Sequence, residues 1–568
     1  MASGRFSFWI EPADPRRSLR LLRATFWLIT IVTGFLQTWA ARFYVSPDGN
    51  SYLDIASAYL RADWKNAVNA YWSPLFSWLL ALCLWLFRPG PYFESTLLHL
   101  LNFVALLVSL LTFEFFFISF LRARKHFAWT AGETEALPEL GWWALGYGVF
   151  LSTSLYVLTA SLTMPDLWVA AFTYLVAGLI LRIWMAGGGW GLFAALGFTL
   201  GCAYLTKTFY FPMAFIFLAT AWLATENSRK TFRQAIVALA VFTLVAGPWI
   251  AVLSRSKNRV TFGDVGKLAF AITMDQIPQP FFWQGERGTG TPRHPVRQLL
   301  SNPRLYEYGT PIGGTYPPSF DSSYWMEGMR PHFELRGLLK VLRQSAGTFF
   351  QIWMIQIEYG LALLALLLLA WSKSDWLVLL RRQSFLWLPP LVACSNYAIV
   401  LVEHRYVAPF VLLLWIAAFS CLLGTSVEIP RRFVLALLLA VLAVTGLRVA
   451  KSFTSDFAAI LARQENANWQ VAQGLRVIGL HPGDKISALS LTAEVHWARL
   501  AGVKIVSEIP MGDASIFWTG DAAAKRRVFQ VFAATGARAV VTKDPPPSAA
   551  KEGWIPLANT GFYAYQLP

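Results

Sequence analysis

A chain of 568 residues of which 56% are hydrophobic and only 14% charged lacks the roughly 25% charge that covers a water-facing surface, so much of its surface must face lipid. Its net charge of +16 falls in short clusters between apolar runs: Arg16/Arg17/Arg20, Arg122/Arg124/Lys125, Arg229/Lys230/Arg233, Arg381/Arg382 and Arg431/Arg432. That is the bias of cytoplasmic loops in a membrane protein, and it excludes nucleic acid as a partner, which needs a continuous basic surface.

In chain order, residues 1–21 form a basic cytoplasmic N-terminus. The apolar run from Phe26 to Ala41 ends on Thr38-Trp39-Ala40, small enough for a signal-peptide cleavage site. The run is long for a signal peptide and many spans follow, so it reads as an uncleaved first helix. At about 20 apolar residues per crossing, eleven spans are expected: 22–41, 94–121, 141–160, 166–186, 190–206, 209–225, 234–253, 347–370, 384–402, 406–424 and 433–450. The segment 73–88 is apolar but shorter. If it crossed fully, the cluster at Arg122–Lys125 and every later one would flip outward, so it is read as lying along or dipping into the membrane.

With the N-terminus inside, the outer regions are 42–92, the turn at 161–166, the loop 254–346 and the tail 451–568. The turns at 206–208 and 403–405 fall on the same side. The loop 254–346 is rich in Gly, Pro and aromatic residues, which marks a functional rather than a disordered segment. The tail alternates strands (485–490, 503–507, 539–542) with helical patterns (457–479, 492–501, 522–535), as a small α/β domain does. Gly536 is placed to end the last helix. Cys83, Cys202, Cys394 and Cys421 all sit in apolar runs, where a thiol acts as a small hydrophobe.

Acidic residues at a membrane edge are informative. Asp48, in Ser46-Pro47-Asp48-Gly49, follows the first helix, with Tyr52 after it. Asp166, in Thr163-Met164-Pro165-Asp166, opens a later span. A helix cap accounts for each acid taken singly. Together on one face, one could act as general base on an acceptor, and the two could share a divalent cation. Lys207, in Leu205-Thr206-Lys207, reads either as a snorkelling lysine or as a phosphate-binding cation. Glu403-His404-Arg405-Tyr406 opens another outer turn. Arg405 has a fork suited to phosphate, and an interfacial Glu403–Arg405 ion pair is the plainer alternative. Glu494 and His496 of the tail read as surface residues.

These motifs resemble the C-type glycosyltransferase superfamily, nearest the protein O-mannosyltransferases and the bacterial aminoarabinose (lipid A) transferases. The resemblance runs over about residues 20–425. It is carried by Pro47-Asp48-Gly49-x-x-Tyr52-x-x-x-Ala56, Pro165-Asp166, Leu205-Thr206-Lys207 and Arg405-Tyr406-x-x-Pro409. It implies a polytopic helical fold of about eleven transmembrane helices in the inner (plasma) membrane of a bacterial envelope, with the active site and tail outside. It implies Asp48 and Asp166 as catalytic acids, Lys207 and Arg405 as ligands of the donor phosphate, and Tyr52, Glu403 and Tyr406 in support. The donor would be a polyprenyl-phosphate sugar, displaced with inversion and delivered to an unassigned glycan, lipid or protein. Trp72-Ser73-Pro74 stands where the aminoarabinose branch carries Lys-Pro, which argues against a lipid A acceptor. The loop 254–346 is too short for the trefoil domain of the eukaryotic mannosyltransferases. A transporter, a flippase or an envelope assembly factor is the competing expectation.

Overall fold

The computed structural model describes residues 14–131, 137–225, 227–286, 288–370, 380–423, 430–462, 465–491 and 494–568. Most of the expected cytoplasmic N-terminus, and residues 492–493 of the expected helix 492–501, lie outside the described residues. The chain forms two compact units.

The first unit comprises the residues up to Ala41, Asn102–Ala251 and Leu338–Ala462. Its helices begin where local chemistry allows. Asp14 accepts the backbone N–H groups of Arg16 and Arg17 at 3.0 Å each, with Pro15 in the first turn. A proline costs nothing there, because its missing N–H would be unpaired anyway. Among the described residues, six helices are long and apolar enough to cross a membrane, or seven if one bent pair counts as a single span. The chain is thus a multi-pass membrane protein.

The other expected spans fall short for visible reasons. Residues 190–206 and 209–225 form helices of 17 and 14 residues, Trp190–Thr206 and Tyr210–Leu223. The helix within 384–402 is Ser384–Ala398, with Pro389 and Pro390 inside it. Residues 141–160 form Glu139–Ser152 followed by a π-helical stretch, Thr153–Leu158. The run 347–370 breaks by 87° between Leu335–Ile355 and Ile357–Leu369.

Buried polar side chains satisfy the backbone and each other at these breaks, as an apolar surrounding demands. Gln37 donates to the Leu155 carbonyl at 2.8 Å and accepts the Ala160 N–H at 3.0 Å, bracketing the π-helical turn. Gln356, at the 87° break, donates to Ser152 and Thr153 at 3.3 and 3.1 Å and accepts from the Trp415 indole at 2.8 Å. Arg448 pairs at 3.1 Å with Glu358, two residues beyond.

The second unit comprises Arg42–Leu101, Val252–Gly337 and Arg463–Pro568. The short apolar helix Pro74–Phe87 belongs here. At 14 residues it is about 21 Å long, below the ~30 Å of a bilayer core. The last long helix of the first unit, Arg431–Leu461, runs past residue 450, and the expected helix 457–479 is divided between it and Ala467–Val477.

The tail carries the expected strands: β3 (Lys485–Leu489), β4 (Lys504–Ile509) and β5 (Ala539–Lys543), with β4 and β5 both parallel to β3. Gly536 follows the helix Ala522–Ala534 at φ +78°, a left-handed stop that favours glycine. With β1 (Arg297–Ser301), β2 (Arg304–Glu307), β6 (Ile555–Pro556) and β7 (Phe562–Gln566), the described residues form a sheet of seven strands in the order β1-β2-β4-β3-β5-β7-β6, in which β6 and β7 close one edge. The other edge is a hairpin from the loop, β1 and β2, with β2 antiparallel to β4. Arg304 fixes that edge through a bidentate pair with Asp513, 2.8 Å on each arm. Both faces of the sheet are buried. Ile486, Ala488, Ile505 and Val541 pack on one side, and Leu489, Ile509 and Val540 meet Phe532 and Trp554 on the other. That double burial is the condition for a parallel core.

Candidate functional site

In the first unit, three side chains from three separate turns meet. Asp166 lies in the first turn of Asp166–Ala186, where a carboxylate suits the positive end of the helix dipole. Lys207 ends the helix Trp190–Thr206 in extended backbone, and Arg405 lies in the first turn of His404–Leu423. The Lys207 ammonium lies 2.8 Å from one Asp166 oxygen, and the Arg405 guanidinium lies 3.4 Å from the other. The Asp166 side chain is 2% exposed, whereas Lys207 and Arg405 each keep 20%. One buried carboxylate therefore holds two cations side by side, with a part of each open to a ligand.

Tyr406 completes the arrangement. Lys207 Nζ sits 3.5 Å from its ring centroid, Arg405 stacks on it at 4.9 Å, and Arg405 also donates to its hydroxyl at 3.3 Å. An aromatic face attracts a cation through its quadrupole, so the ring fixes where both charges stand. Behind it, Tyr397 stacks on Tyr406 and Phe209 on Tyr397, with centroids 5.5 and 4.1 Å apart.

The arrangement amends three expectations. The Glu403–Arg405 pair does not form: Arg405 turns to Asp166, and the Glu403 carboxylate makes no ion pair or hydrogen bond among the described residues. Lys207 does not simply snorkel, since its amine is tied to Asp166. Asp166 has an ion-pair partner on each oxygen, a poor fit to a divalent cation, which needs free carboxylate oxygens. Among the described residues no three His, Cys, Asp or Glu side chains gather as a metal-binding group.

Asp48 and Tyr52 belong to the second unit. Ser46, not Asp48, caps the helix Pro47–Leu60, accepting the Gly49 N–H at 3.1 Å. Asp48 stands half-buried in the first turn. Tyr52 is a core residue, its ring 5.1 Å from both Trp72 and Phe76.

Two turns on from Asp48 lies a network that sequence reasoning missed. Asp54 accepts from the Thr315 backbone and hydroxyl at 2.7 and 3.0 Å and from Arg499 at 2.6 Å. Arg499 also reaches Glu94 at 2.9 Å and Ser57 at 2.9 Å. Burial lowers the guanidinium pKa, and its carboxylate partners Glu94 and Asp54 together outweigh that and leave it raised. These groups line a cavity of about 370 Å³ with Arg61, Asp63 and Lys504. The only sequence signal was an acid one helical turn past Asn50 and an isolated arginine in His496–Ala501. His496 is not a surface residue. It is 2% exposed and meets Asn50 at 3.2 Å. Burial, then the nearby Arg499 and His99, pull its pKa down to about 3, so it is neutral at physiological pH. Glu494 is exposed and pairs with Lys543 at 2.8 Å.

No protein-family model matches the chain, and no curated protein matches it. Among solved structures it is similar to ArnT from Cupriavidus metallidurans bound to undecaprenyl phosphate, at 13% identity and a TM-score of 0.43, over 97% of this chain and 98% of that one. It is also similar to the apo oligosaccharyltransferase of Archaeoglobus fulgidus, at 13% identity and a TM-score of 0.49, over 94% of this chain and 70% of that one. A third similar structure is the oligosaccharyltransferase AglB from the same archaeon with an inhibitory peptide and a dolichol-phosphate, at 12% identity and a TM-score of 0.46, over 92% of this chain and 69% of that one. Likenesses of this strength describe an outline. The chemistry has to follow from the residues themselves.

Proposed function

We propose that the chain is a membrane glycosyltransferase that moves a monosaccharide from a polyprenyl-phosphate donor to an extracytoplasmic acceptor, inverting the anomeric carbon. The observation that carries this reading is the Asp166 cluster: two cations held 2.8 and 3.4 Å from one buried carboxylate, each keeping one-fifth of its side chain exposed. That is a receptor for a phosphate whose charge grows during reaction.

The acceptor's nucleophilic atom attacks the anomeric carbon, and the bond from that carbon to the phosphate oxygen breaks. The electron pair goes to the phosphate, where Lys207 and Arg405 receive it. The acceptor's proton goes to Asp48 as general base. Asp166 is a positioning residue, and Tyr406 is the platform under both cations. Tyr52 anchors the helix that carries Asp48. Preorganised donors aimed at developing charge contribute about 3–4 kcal/mol each, because they interact more strongly with the leaving phosphate than with the intact donor. The phosphate-binding groups would lie on the outer side.

The 87° break after Ile355 favours a flippase or transporter, since broken helices line substrate paths in such proteins. One experiment addresses both readings. Purified protein is incubated with a panel of polyprenyl-phosphate monosaccharides, with and without divalent cation, and free polyprenyl phosphate is measured. Release that is lost in Asp48→Asn supports the transferase. Movement of donor across a vesicle bilayer without release of phosphate supports the flippase.

A further inference from the structure

A second cavity, of about 330 Å³, lies wholly within the second unit. Its charged lining residues are Arg259, Lys267, Arg293, Arg330, Asp264 and Glu327. Asp264 takes Arg259 in two hydrogen bonds of 2.7 and 2.6 Å, and Glu327 takes Arg293 at 3.2 Å. Lys267 and Arg330 are exposed and have no ion-pair or hydrogen-bond partner for their side chains among the described residues. Four cations facing two carboxylates leave a charge of +2 in one recess. Like charges gathered without a counter-ion cost free energy, so the arrangement calls for an anion.

The walls are tied together through the backbone. The Arg293 N–H donates to the Glu327 carbonyl and the Arg330 N–H to the Thr289 carbonyl, both at 2.8 Å, with a β-bridge between Gly290 and Met329. The backbones approach so closely that a Cβ on Gly328 would lie 2.1 Å from the Thr291 carbonyl oxygen. The backbones of Arg293 and Arg330 are therefore held by one β-bridge and its flanking hydrogen bonds, and that of Lys267 by the helix Val265–Met274.

We infer that this cavity binds a phosphomonoester. Such a group carries about −1.5 to −2 at pH 7, which matches the two unpaired cations, whereas a carboxylate supplies one charge. Arginine's fork adds bidentate geometry for phosphate oxygens. The volume reaches the lower end of small-molecule sites, about 300–1,000 Å³, so there is space for a small polar body beside the phosphate. The site is independent of Lys207 and Arg405, and it stands whether or not the transferase reading does.

The test uses the full-length protein in phosphatidylcholine nanodiscs, titrated calorimetrically with glycerol 3-phosphate. Saturable 1:1 binding is expected, weakened at least tenfold in Lys267→Ala/Arg330→Ala and lost in Lys267→Glu/Arg330→Ala. Both side chains are exposed, so folding is not at stake, and a thermal melt confirms it. Nanodiscs containing phosphatidic acid identify the source. A fall in apparent affinity for glycerol 3-phosphate assigns the cavity to a lipid headgroup, and an unchanged affinity assigns it to a free phosphomonoester. Absence of saturable binding, or equal binding in the variants, overturns the inference.

Discussion

Asp166→Asn tests the central arrangement directly. Asn keeps the size of Asp166 but removes the charge, and its single carbonyl oxygen can accept from only one of the cations now held at 2.8 and 3.4 Å. Breaking a buried ion pair from one side costs about 3–5 kcal/mol. Because Lys207 and Arg405 are each one-fifth exposed, water compensates part of the loss, and the lower end, about 3 kcal/mol, is expected. If Asp166 acts by holding the cations, turnover should fall by about 10²–10³, the usual effect of losing one preorganised donor. The assay is release of polyprenyl phosphate under single-turnover conditions, run as a cycle of Asp166→Asn, Lys207→Ala and the double variant. Residues acting through one another are non-additive, so the double variant should lose less than the product of the two single effects, the remainder being what Asp166 does through Arg405. Multiplying effects in the double variant, or wild-type turnover in Asp166→Asn, refutes the positioning role.

Asp48→Asn should abolish transfer while the protein still folds. Ser46 keeps the cap, and a first-turn acid supplies only about 0.3–1 kcal/mol through the helix dipole; turnover and a thermal melt separate the two effects. Arg499→Ala should destabilise the second unit by about 3 kcal/mol, since it strips the buried Asp54 and the part-buried Glu94 of their shared cation. Limited proteolysis with rising denaturant should show that unit opening earlier. The depressed pKa of His496, about 3, against about 6.5 for an unfolded histidine, means the unfolded chain binds the extra proton first. Its contribution to stability is complete above pH 6.5 and is lost as pH falls toward 3. His496→Gln should flatten that part of the acid limb in a melt series, and an unchanged limb would place the acid sensitivity elsewhere.

The parts of the fold legible in the sequence are those whose signal is local. Val540 and Val541 mark a buried strand by composition alone, and Gly536 marks a helix end because few residues accept φ +78°. The hairpin Arg297–Ser301 and Arg304–Glu307 was not legible, because its partner, β4, lies some two hundred residues away, and a five-residue strand carries no address. The eleven-span reading counted apolar residues, but apolarity does not report helix continuity. The π-helical turn held by Gln37 and the break held by Gln356 depend on glutamines whose partners are distant in sequence. In the candidate site, the residue types were visible at the ends of apolar runs. That Arg405 chooses Asp166, 239 positions away, over its neighbour Glu403 was not. His496 was misjudged for the same reason: its burial depends on Asn50, 446 positions away.

The sign of one kinetic constant separates two ways in which the Asp166 cluster could serve a phosphate. A lipid-phosphate sugar is a diester with about one negative charge, and the monoester it releases carries about −1.5 to −2. If net charge alone governed binding, Asp166→Asn would make the cluster more positive by one charge, tighten the monoester product and lower the donor KM, with slow release limiting kcat. If placement governs, the freed cation swings toward water, kcat falls and the donor KM stays level or rises. The geometry favours placement. Lys207 and Arg405 are each one-fifth open to solvent, where added charge is screened. What Asp166 supplies is the fixed separation of the two cations over the Tyr406 ring, and a rearranging pair cannot stabilise a transition state without first being reordered. A lower donor KM in Asp166→Asn, with product release as the slow step, would show that charge outweighs position in this site.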